Sequence, residues 1–110
     1  MTVQELAEAL SSRIEGGEDL SREITGGYCG DLLSWVMGRA KSGDAWITIM
    51  GNINSIAVAT LADVACIVLA ENAPLEEDAL LRAKQQDIPV LRSELPAYEI
   101  ACRLFQALPV

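Results

Sequence analysis

Four times along the chain, at roughly 22-residue intervals, a short apolar or β-branched run gives way to a stretch with apolar residues at helical spacing. The runs cover residues 22–25, 45–50, 66–70 and 89–91. Strand–helix alternation closes through right-handed crossovers into a mostly parallel sheet covered by helices. The run from Ala65 to Ala70 is apolar on both faces, as a central parallel strand must be, and the run beginning at Ala45 is similar. The helix after the first run carries Leu32, Leu33, Val36, Met37 and Ala40 on one face, with Asp31 placed as its N-cap. The next carries Ile53, Ile56, Ala57, Thr60 and Leu61, and Asn52 stands where its cap belongs. The third opens on Glu76-Glu77-Asp78, acids suited to the positive end of a helix dipole. The last opens near Pro96 and lines up Ile100, Leu104 and Leu108. Ahead of the repeat, Val3, Leu6, Ala7 and Leu10 form one helical stripe, and Gly16-Gly17 breaks the chain. The expectation is a single α/β domain over residues 1–110, with four to five strands.

The charge balance removes whole classes of function. Sixteen acidic residues against eight basic ones give a net charge of −8, so the chain lacks the basic stripe that binding nucleic acid or an anionic membrane requires. There is no histidine, and the three cysteines, Cys29, Cys66 and Cys102, form no Cys-x-x-Cys pair, which argues against a metal site and any bound cofactor. No apolar run is long enough to span a bilayer, and the first residues do not read as a secretion signal, so the expected location is the cytoplasm. An apolar fraction of 51% is high for so small a domain, and it predicts that part of the surface meets another protein, most simply a second copy.

In open parallel sheets, ligands bind outside the carboxyl ends of the strands. With the strands placed as above, that edge carries Thr25-Gly26-Gly27-Tyr28-Cys29-Gly30-Asp31, then Gly51-Asn52-Ile53-Asn54, Glu71-Asn72-Ala73-Pro74 and Ser93-Glu94-Leu95. Gly26, Gly27 and Gly30 read as a loop free to adopt positive φ and approach a ligand, just ahead of a helix N-terminus suited to an anion. Arg22 and Thr25 would add a charged donor and a hydroxyl. The competing reading is a tight strand-to-helix turn, with Asp31 satisfying the same N–H groups. Asn52 and Asn54 could read a base or ribose through paired donors and acceptors. The loop is neither a Walker A loop nor a dinucleotide fingerprint. Cys29, ahead of a helix, is placed for a lowered thiol pKa, but no histidine can serve it as a base. Asp63 and Glu71 are the carboxylates expected to be partly buried. Trp35 and Trp46 read as core or interface anchors.

Taken together, Arg22-Glu23-Ile24-Thr25-Gly26-Gly27-Tyr28-Cys29-Gly30-Asp31-Leu32-Leu33 and Gly43-Asp44-Ala45-Trp46-Ile47-Thr48-Ile49 resemble the DRTGG-domain family. Asn52-Ile53-Asn54, Ala57-Val58-Ala59 and Ile88-Pro89-Val90-Leu91 extend the resemblance over nearly the whole chain. Glu23-Ile24 replaces the family's Asp-Arg, which leaves Arg22 as the nearby basic residue. The resemblance implies a three-layer α/β/α fold, similar to the N-terminal domain of HPr kinase/phosphorylase. It also implies a regulatory or structural role beside catalytic neighbours, and association through the domain itself. A free-standing copy is therefore expected to be a non-catalytic, homodimeric sensing module. It would bind a small anionic or nucleotide-like ligand through Arg22, Thr25, Gly26, Gly27, Gly30, Asp31, Asn52 and Asn54. The alternative is an accessory protein that docks on a partner enzyme without a ligand.

Overall fold

The computed structural model describes residues 1–109. Its elements run α1 (Val3–Leu10), β1 (Arg13–Gly16), β2 (Gly26–Cys29), α2 (Leu33–Arg39), β3 (Asp44–Thr48), α3 (Ile53–Ala62), β4 (Cys66–Leu69), α4 (Glu77–Gln86), β5 (Pro89–Arg92) and α5 (Ala97–Ala107). The five strands form one sheet in the order β1-β5-β4-β3-β2. β2 to β5 are parallel, and β1 pairs antiparallel with β5, Arg13 opposite Arg92.

Each crossover from β2 to β5 steps to the next strand in the same direction, so right-handedness puts α2, α3 and α4 on one face of the sheet. α1 and α5 cover the other, giving three layers. Strand alternation divides the core accordingly. Ala45, Ile47, Cys66, Val68 and Leu91 pack with Leu6, Leu10, Ile100 and Leu104, while Trp46, Ile67, Leu69 and Val90 pack with Val36, Ile56, Ala79 and Ala83. Every residue of β3 and β4 is buried, which is why both strands are apolar throughout apart from Asp44 and Thr48 at the two ends of β3.

Two features depart from the sequence reading. β1 is an added strand with the mixed sequence Arg-Ile-Glu-Gly, so Gly16 sits inside a strand rather than in a chain break. The expected first strand at 22–25 is displaced to Gly26–Cys29. Residues 17–25 instead run as a strap beneath the amino edge of the sheet. The Gly17 N–H donates to the Ile88 carbonyl at 2.8 Å, and the Glu18 N–H to Asp87 Oδ1 at 2.9 Å, at the C-terminal end of α4. Ile24, which reads as a strand residue, is a plug in the α1/α5 core, 2% exposed. β2 can follow with two glycines because it is an edge strand passing under α5. A Cβ at Gly27 would lie 2.7 Å from Leu104 Cδ2, so the helix packs where a side chain would stand.

Candidate functional site

The displacement of β2 scatters the eight residues expected to form one site. Arg22, Thr25 and Gly26 lie at the amino edge of the sheet, and Gly27 lies under α5. Gly30, Asp31, Asn52 and Asn54 lie at the carboxyl edge, beyond the ~13 Å length of a four-residue strand. The positive-φ glycines are Gly16 and Gly43, not Gly26, Gly27 or Gly30. Arg22 is fully employed in the fold. It donates to Asp63 Oδ1 at 2.9 Å and the Asp63 carbonyl at 2.8 Å, and also to the Val64 carbonyl and Ser42 Oγ. These contacts close the C-terminal end of α3, where a cation offsets the helix dipole.

Asp31 does not cap α2, whose N-cap is Leu32 with no side-chain bond. Its carboxylate accepts the Thr48 hydroxyl at 2.7 Å and the Ile49 N–H at 3.1 Å, joining the carboxyl ends of β2 and β3. Asn52 caps α3 as expected, accepting the Ser55 N–H at 3.1 Å. Asn54 is exposed on the first turn of the same helix.

The carboxyl-edge rule points elsewhere once the layers are known. The chain leaves β4 toward α4 on one face and leaves the adjacent β5 toward α5 on the other. Connections that diverge from neighbouring parallel strands open a crevice between them. Here the crevice has a volume of about 430 Å³. Arg92 at the end of β5, Arg13 at the start of β1 and Arg103 on α5 all line it, with Asn72 and Glu94 from the two diverging loops and Ser11 from the end of α1. Three of the eight basic residues of this acidic chain therefore meet in one place.

Their mutual electrostatics are only partly satisfied. Arg92 Nη1 stands 3.6 Å and Arg13 Nη2 3.9 Å from the same Glu15 carboxylate oxygen. Arg92 Nη2 donates to the Asn72 carbonyl at 3.3 Å, while its Nε is buried with no acceptor. Arg103 donates to the Ala9 carbonyl at 3.2 Å and to Glu99 at 3.3 Å. A buried donor left without an acceptor is costly. Separately, the guanidinium groups on the crevice wall are of the kind that pair with carboxylate or phosphate oxygens. Sequence reasoning missed these arginines because positions 13, 92 and 103 come together only in the fold. One signal was available: Arg92 directly ends the apolar run of β5, at the carboxyl edge of the sheet.

Other chemistry is sparse. Burial, with the Asp31 charge second, holds the Cys29 thiol above its ordinary pKa, opposite to the shift expected from a helix N-terminus. Burial pushes Cys66 up to about 12. Asp63 and Glu71 are exposed, and Asp44 is the buried carboxylate, its Oδ2 accepting the Lys41 N–H at 2.8 Å. Trp46 is a core anchor whose indole N–H donates to the Gly30 carbonyl at 2.9 Å. Trp35 is 54% exposed, with the Arg39 guanidinium 3.9 Å above its ring. Among the described residues, no three His, Cys, Asp or Glu side chains are grouped to hold a metal ion, and no helix is long and apolar enough to cross a membrane.

The DRTGG domain family matches residues 5–107. No curated protein sequence matches the chain. Among solved structures, the chain is similar to the CBS and DRTGG domains of the regulatory region of Clostridium perfringens pyrophosphatase, in complex with the activator diadenosine tetraphosphate. The two share 13% identity with a TM-score of 0.75 over 99% of this chain, which spans 48% of that one. At that identity the likeness shows a shared fold.

Proposed function

Because the chain belongs to the DRTGG domain family, we propose that it is a non-catalytic regulatory module of the cytoplasm. It works as a homodimer and senses a small anionic or nucleotide-like ligand at the carboxyl edge of its sheet. One observation carries the reading: the crevice between the diverging β4 and β5 connections gathers Arg13, Arg92 and Arg103 on its walls. Three guanidinium groups suit a ligand bearing phosphate or carboxylate, through paired charge-assisted hydrogen bonds. The similar solved structure supports it too, being a regulatory region bound to a nucleotide activator. The scattering of Arg22, Thr25, Gly26 and Gly27 away from the carboxyl edge directs the proposal to the crevice rather than to the Thr-Gly-Gly segment.

Calorimetry and thermal unfolding with inorganic phosphate, ATP and diadenosine tetraphosphate test it. At least one of these should bind and raise the melting temperature. Arg92→Leu and Arg103→Gln should each weaken that binding tenfold or more, a loss of about 1.4 kcal/mol. Binding by none of the three at millimolar concentration, or equal binding by both variants, overturns the proposal.

A further inference from the structure

β2 is one of the two edges of the sheet, and it is the one without protection. Natural edge strands discourage pairing with charges, prolines or bulges, and Gly26-Gly27-Tyr28-Cys29 has none of these. Both layers next to it present unpartnered apolar side chains. On one face, Tyr98 and Phe105 of α5 are 82% and 64% exposed, and with Cys102 they overhang Gly27 and Cys29 across a groove of about 430 Å³. On the other, the Trp35–Arg39 flank of α2 lies at the same edge, since Arg39 lines a second depression with Thr25, Gly26 and Tyr28.

We propose that this edge is the dimer interface, the β2 strands of two copies pairing antiparallel about a two-fold axis to continue the sheet. The inference rests on the homodimer reading above and adds the surface and its geometry. Charge selects the antiparallel arrangement. The depression at the amino end of β2 holds the exposed cations Arg39 and Lys41 beside the buried Asp44. The strand's carboxyl end carries the exposed Asp31, whose Oδ1 is bonded to Thr48 and Ile49 at the end of β3. A two-fold axis through the strand sets each basic end beside the partner's acidic end, whereas a parallel pairing sets like against like. Exposed aromatic area also concentrates here. At ~200 Å² per aromatic side chain, Tyr98, Phe105 and Trp35 expose roughly 400 Å² per copy, about 800 Å² across the pair. Leu32, 60% exposed one turn before Trp35, and the strand edges add to this, against the ~1,200 Å² at the low end of stable interfaces. The arginine crevice lies at the opposite side of the sheet, so association leaves it open.

Analytical ultracentrifugation of the full chain tests the surface. The unmodified protein should be a dimer at about 10 μM, a typical concentration for a standard interface. The exposed-site variants Tyr98→Glu and Phe105→Glu should weaken association at least 100-fold while leaving the circular dichroism spectrum intact. Arg39→Glu and Lys41→Glu should weaken it less, with the effect fading in high salt. Hydrogen exchange at the Gly26–Cys29 amides should slow as concentration rises through the dimer transition. A dimer unaffected by Tyr98→Glu and Phe105→Glu overturns the assignment of this surface and leaves the homodimer reading standing. A monomer at 100 μM overturns both, and gives the edge to a different protein. Dimerisation without protection of Gly26–Cys29 overturns strand pairing.

Discussion

The two edges of the sheet have opposite characters. Both edge strands have four residues, but the β1 edge is antiparallel and charged, with Arg13 and Glu15 in the strand and Gly16-Gly17 folded tightly against Ile88. The β2 edge is glycine-rich, uncharged and flanked by aromatic side chains on both faces. An edge strand is a pairing template unless its sequence prevents it, so one edge of this molecule is closed and the other is open. The closed edge gathers arginines, since antiparallel pairing sets Arg13 across from Arg92 next to α5. One sheet thus carries two unlike surfaces at its two sides, an arginine-lined crevice at one and an exposed apolar edge at the other.

The largest effect that would break this contrast is expected at the closed edge. A Cβ on Gly17 would stand 2.5 Å from the Asp87 carbonyl carbon and 2.6 Å from the Ile88 nitrogen, both backbone atoms that cannot swing aside. Gly17→Ala should therefore cost about 3 kcal/mol in urea unfolding. Gly27→Ala, at the open edge, meets the mobile end of Leu104 instead, and should cost about 1 kcal/mol. If the two costs are equal, the backbone packing against Gly17 is no less yielding than the side-chain packing against Gly27.

Arg22→Ala sharpens the comparison by separating folding from binding. It removes the cation that closes α3 and should cost about 1–2 kcal/mol, discounted because the side chain is 36% exposed. Phosphate or nucleotide affinity should not change. A loss of affinity without loss of stability would move the site back to the Thr-Gly-Gly segment. The same contact has a pH signature. Hydrogen bonds from Arg22 and then Ser42 hold the Asp63 carboxyl below its ordinary pKa. A depressed folded pKa adds stability that is fully present above the unfolded value near ~3.9 and is lost as pH falls through the folded value. Acid titration of Arg22→Ala, followed by circular dichroism, should show a shallower loss in that window. Smallest of all, Gly38 on α2 has open space where a Cβ would stand, so Gly38→Ala should stabilise by up to about 1 kcal/mol through helix propensity.

Much of the fold was legible because burial on two faces leaves a plain mark. β3, β4 and β5 stand out as apolar runs, and the helices between them show their stripes and, at Asn52, their cap. The edges were illegible for the same physical reason. A strand with one exposed flank needs no apolar pattern, so Arg-Ile-Glu-Gly did not read as a strand. Gly26-Gly27 read as a turn, since nothing local says that Leu104, far along the chain, occupies the space of a side chain at Gly27. Ile24 read as a strand because alternation cannot distinguish a strand from a strap carrying one core plug. The carboxyl edge was legible as the edge where open parallel sheets take ligands. Its contents were not, because Arg13, Arg92 and Arg103 are gathered by an antiparallel strand and a helix on the second face.

The central claim is that anionic ligands enter the arginine crevice between β4 and β5. Residue-resolved amide NMR of the chain, titrated with ATP and with inorganic phosphate, tests it most directly. Shift changes should concentrate at Ser11, Arg13, Asn72, Arg92 to Leu95 and Arg103, with Thr25 to Gly30 unmoved. Changes centred on Thr25 to Asp31, Asn52 and Asn54, or none at saturating concentrations of either anion, would contradict it.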